Sequence, residues 1–107
     1  MADKKKAMIS QPMWGRTNEE ILFVRNKIKE RLESLGYEVV DSFISEECNA
    51  ENIKSKPLWY LAKSLEVMST CDAVCFAYGW ERTRGCCIER AVADAYGLSI
   101  FVDKEGE

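Results

Sequence analysis

The stretch "CDAVCFAY", Cys71 to Tyr78, most constrains what this chain can fold into. It is apolar at successive positions and so has no face for water, and it is too short to form a helix of ordinary length. A run of that kind suits a strand covered on both sides, as in the middle of a parallel sheet. Its neighbours carry the other period. Ile21, Val24, Ile28, Leu32 and Leu35 fall on one helical face, introduced by Thr17 and Glu20 as a capping box and closed by Gly36. Leu58, Leu61, Leu65 and Met68 make a second helical stripe, started by Ser55 and Pro57. A third helix is expected from Cys86 to Tyr96, closed by Gly97. "KAMIS", "YEVVDSF" and "LSIFV" supply the remaining strands.

Strand and helix therefore alternate four and three times through the 107 residues. A single domain, residues 1–107, is expected to form a flavodoxin- or Rossmann-like three-layer α/β sandwich. Its four-stranded parallel sheet should run in the order 2-1-3-4. In such sheets ligands bind beyond the carboxyl ends of the strands, where the strand order reverses. The loops "QPMWGRTN" and "GWERTRG" emerge there, between the first and third strands. Trp14 and Trp80 in these loops either stack on a planar ligand ring or lid the sheet edge. Arg16, Arg82 and Arg84, near helix starts, either meet an anion or are solvated.

Composition removes several kinds of chemistry. The chain has no histidine, which excludes Ser-His and Cys-His catalysis and His-ligated metals. Its five cysteines are an odd number without metal-type spacing, so no metal, cofactor or disulfide framework is expected. A net charge of −3 argues against a nucleic-acid polymer as partner, and no apolar run is long enough for a membrane. The start, "MADKKKAMISQPMWG", lacks the apolar core of a secretory signal, so a cytoplasmic protein is expected. "GWERTRG" has neither the lysine and hydroxyl of a P-loop nor GxGxxG spacing.

Glu89 stands out in the third helix as either a solvated residue or a reagent. Gly85, Glu89, Val92 and Tyr96 share one face, and Ile88, Ala91 and Ala95 are expected to pack on the sheet. On that reading Glu89 borders the cleft, with the helix dipole keeping it ionised.

"GCCIERAVADAYG" resembles the helix bearing the reactive glutamate of the nucleoside 2-deoxyribosyltransferase superfamily, which includes deoxynucleoside 5′-monophosphate N-glycosidases. "ISQPMWG", "CDAV" and "GWERTRGCCIE" are similar to a small bacterial and phage branch of it, with the likeness running from about Ala7 to Val102. The resemblance implies that Glu89 attacks C1′ of the sugar of a nucleoside or nucleotide. It places Ser10, Met13, Trp14, Gly15 and Arg16 on the sugar and phosphate side, with Arg84 and Gly85 alongside. Asp72 corresponds to a structural aspartate. The superfamily's second carboxylate, which helps the base leave, corresponds to Ser64, and Asp41 is a possible substitute. A non-catalytic binder of a nucleotide-like metabolite is the alternative. A homodimer or higher homo-oligomer is also expected, because only the first helix should cover one face of the sheet and leave the third and fourth strands open there.

Overall fold

The computed structural model describes residues 4–13, 15–41, 48 and 51–104. Four strands, β1 (Lys5–Ser10), β2 (Tyr37–Val39), β3 (Ala73–Phe76) and β4 (Ser99–Val102), alternate with three helices. These are α1 (Asn18–Ser34), α2 (Lys56–Met68) and α3 (Arg84–Ala95), with a 3₁₀ turn at Trp80–Arg82 ahead of α3. The strands form one parallel sheet in the order β2-β1-β3-β4. This is the expected three-layer α/β architecture.

Local chemistry sets the element starts as read from the sequence. Thr17 Oγ1 accepts the Glu20 amide at 3.1 Å, and Ser55 Oγ accepts that of Leu58 at 3.3 Å. Each satisfies an amide that the first turn leaves without a partner. Gly36 closes α1 at φ 94°, a left-handed conformation that side chains disfavour. The Asp72 carboxylate accepts the Lys6 amide at 2.8 Å, joining the entry of β3 to β1.

All four β3 residues are buried, and their alternation divides the core into two faces. Ala73 and Cys75 join Ala7, Ile9, Ile28 and Leu32 under α1. Val74 and Phe76 join Met8, Met68 and Ala93 under α2 and α3. The expected open face beneath α1 is closed over β3, where Ala73 and Cys75 are at most 1% exposed. Small residues make this possible. The rings of Tyr37 in β2 and Phe101 in β4 meet edge to face at 5.6 Å, on the face where the central strands present Ala7, Ile9, Ala73 and Cys75. Arg31 of α1 also reaches Asp103 beyond β4 at 3.0 Å. The β3 residues of that face are thus buried within one chain, whereas β4 is only partly covered, with Phe101 half-buried.

The α3 stripe also differs from expectation. Cys86, Glu89 and Ala93 are its buried residues, whereas Ile88, Ala91 and Ala95 face solvent. A hydrophobicity pattern assigns a glutamate to the outside, and here the inner face carries one because the helix start borders a cleft. This phase has a direct consequence for packing. Ala93→Leu should cost about 1–3 kcal/mol by overpacking, while Ala91→Leu and Ala95→Leu should stay within about 0.5 kcal/mol of wild type. Urea midpoints of the three variants check this, and equal losses would contradict the helix phase.

Candidate functional site

Ser10 is the last residue of β1, paired with Phe76 in β3, and is 2% exposed. Its hydroxyl donates to Glu89 Oε2 at 2.5 Å, a short charge-assisted bond in a buried setting. Glu89 is 8% exposed and lies in the second turn of α3. Burial pushes its carboxyl above the ordinary value, while the hydroxyls of Ser10 and then Ser64, and the charge of Arg25, pull it partly back. The dipole expected to keep it ionised acts within the first turn, which Glu89 lies beyond. Desolvation decides the direction.

The residue that follows β1 anchors a second chain of contacts. Gln11 donates through Nε2 to the Ile21 carbonyl at 2.9 Å and accepts from Arg25 Nη1 at 3.1 Å. Arg25 is itself buried and stands 4.0 Å from Asp41. A line of polar groups thus runs from Asp41 through Arg25 and Gln11 to the strand end that holds Ser10. Sequence reasoning missed Arg25, although Ile21, Arg25, Ile28 and Leu32 form the buried face of α1. An arginine at such a position is the signal that could have found it.

Glu89 opens into a cleft of about 290 Å³ that also takes in Ser10, Met13, Ser64 and Gly85. Tyr60 and Thr83 join the lining without having been foreseen. Tyr60 lies one turn before Ser64 on α2, so the position of Ser64 could have led to it. Among the described lining residues Glu89 is the one carboxylate, and none is a lysine or arginine. Cys86 shares it, and burial pushes that thiol upward, which keeps it protonated and unreactive.

The other expected site residues lie elsewhere. Trp80 packs on Phe76 at 5.6 Å between ring centres, with the Arg90 guanidinium 5.0 Å above its ring. It belongs to the core on the α3 side, because a large indole beside Phe76 gains more from burial than from facing the cleft. Arg84 borders an adjoining hollow with Leu58 and Ile88, which meets the cleft at Pro57, Leu61 and Gly85. Asp41 is exposed and lines a separate hollow beside Lys29, so it does not face Glu89. Gly15 takes φ 76° in the turn after β1, where Arg16 N–H donates to the Met13 carbonyl at 3.2 Å. Arg16 turns to the α1 side of the sheet. Trp14 lies outside the described residues. Among the described residues, no group of three acidic, cysteine or histidine side chains could hold a metal ion. No helix among them is long and apolar enough to cross a membrane.

Residues 5–102 match the family model described as Domain of unknown function (DUF4406), and the chain belongs to that family. No curated protein matches it.

The raised carboxyl of Glu89 makes stability depend on pH with a defined sign. Between the unfolded glutamate value of about 4.3 and the higher folded one, the native state binds more protons than the unfolded chain. Stability from this group is therefore lost as pH rises through that window. Glu89→Gln should be more stable than wild type above the window, with the difference shrinking as pH falls towards 4. Denaturant midpoints of both proteins from pH 4 to 8 check this, and parallel profiles would contradict it.

Proposed function

We propose that this protein binds a nucleoside or nucleotide in the Glu89 cleft and breaks or exchanges its N-glycosidic bond, as a member of the deoxyribosyltransferase-like class. The observation that carries the reading is a buried glutamate, held by Ser10, opening into a cleft at the carboxyl end of β1. Ionised Glu89 attacks C1′, and the electron pair of the C1′–N bond leaves with the base, which takes a proton from solvent. Water or a second base then attacks the same carbon and frees the carboxylate. This is the two-step logic of retaining glycoside chemistry. Ser10 and Ser64 orient the carboxylate, and Tyr60 and Met13 offer apolar surface to the ring of the base. The five unpaired cysteines support a reducing, cytoplasmic setting.

One observation favours a second reading, a binder without turnover. Ser64 stands in the cleft where the resemblance calls for a second carboxylate, and Asp41 does not line the cleft to replace it. Losing a positioned acid costs about 10²–10⁴ in rate.

A panel of deoxynucleosides and their 5′-monophosphates, followed for free base and for melting shifts, separates the two. The first reading expects base release that Glu89→Ala abolishes without lowering the melting temperature. The second expects melting shifts alone, altered by the same substitution. Neither base release nor any shift at millimolar ligand would contradict both.

A further inference from the structure

A second concavity, of about 200 Å³, lies on the α1 side of the sheet at the carboxyl ends of β1, β3 and β4. Arg16, Lys27 and Lys104 line it together with Tyr78 and Asp103. Three cations converge here in a chain whose net charge is −3. Among the described residues, no carboxylate forms a salt bridge with any of the three. The one acid in the lining, Asp103, is already engaged by Arg31 at 3.0 Å. Arg16 is exposed, and its guanidinium lies beside Gly79, 3.9 Å from where a Cβ there would sit. Like charges around one hollow repel one another unless an anion enters, and they raise the local potential that attracts one. The position, beyond the strand ends where the order reverses, is where doubly wound sheets take ligands.

The Glu89 cleft cannot take over this role. Among the described residues it presents a carboxylate and no cation, and the two hollows share only Gln11 and Pro12 as a common wall. We propose that the Arg16–Lys27–Lys104 concavity is a separate anion site, shaped for the phosphate of a small phosphorylated metabolite. Lys27 from α1 and Lys104 from beyond β4 supply point charges, and the planar guanidinium of Arg16 supplies paired donors. The Tyr78 ring borders the organic part of the ligand. The site stands whether or not Glu89 is a reagent.

Inorganic phosphate, titrated at constant ionic strength against a chloride control, is the probe. Backbone amide shifts should saturate, and should centre on Gln11, Met13, Gly15 and Arg16, on residues 77–79 and on residues 103–104. Lys27→Glu and Lys104→Glu, both at exposed positions, should each weaken binding about tenfold or more. Arg16→Ala should weaken it without reversing any charge, and Glu89→Gln should leave it unchanged. Shifts no larger than those with chloride would overturn the proposal. So would equal affinity in all the charge variants, or shifts centred on the Glu89 cleft and lost in Glu89→Gln.

Discussion

A single hydrogen bond, from Ser10 to Glu89, joins the end of the central strand β1 to the inner face of α3. The candidate site depends on it. A carboxylate with 8% exposure is costly to keep charged, and an unpartnered one would neutralise. Ser10 can supply the donor because the register with Phe76 fixes its place and the sheet buries its backbone. The polar line through Gln11, Arg25 and Asp41 holds the adjoining loop from the other side. The protein thus carries a buried charge that a purely structural core would replace with an apolar residue. Retaining it at the mouth of a cleft is what function requires and stability does not.

Two hollows flank the β1 exit, and they differ in chemistry. One is acidic and hydroxyl-rich, built from β1, α2 and α3. The other is basic and built from α1 and the ends of β3 and β4. Gln11 and Pro12 separate them, so a shift of this loop would be felt on both sides. The division follows from the topology, since α1 leaves β1 on one face and α2 and α3 cover the other.

The fold was legible because its signals are local and of two periods. Doubly apolar β3, the Thr17 and Ser55 caps and the closing glycines each speak for themselves, and together they leave few topologies. The site was legible in part. Glu89 and Gly85 could be set on one face of the third helix from their spacing, whereas Ser10, Met13 and Ser64 came from the resemblance. Trp80 and Arg16 share loops with them, but which side of a loop a side chain takes depends on packing. Phe76 claims the Trp80 indole, and the gap beside Gly79 takes Arg16. The phase of α3 misled for a related reason. Its inner face is polar where the cleft begins, so hydrophobicity marked Ile88 for the sheet instead of Glu89. Burial of β3 on that face joins Ala73 and Cys75 to Ile28 and Leu32 of α1, and the Tyr37–Phe101 contact beside it is a long-range pairing that no local pattern announces.

The central claim is that Glu89 is a desolvated carboxylate held in check by Ser10. Side-chain carboxyl ¹³C chemical shifts, followed through a pH titration with Glu89 assigned by substitution, test it directly. The account predicts a Glu89 midpoint above the ordinary value of about 4.3, moving higher still in Ser10→Ala as the lowering hydrogen bond is lost. A midpoint at or below the ordinary value, indifferent to Ser10, would mean that Glu89 is a solvated helix residue and that the cleft is not built around it.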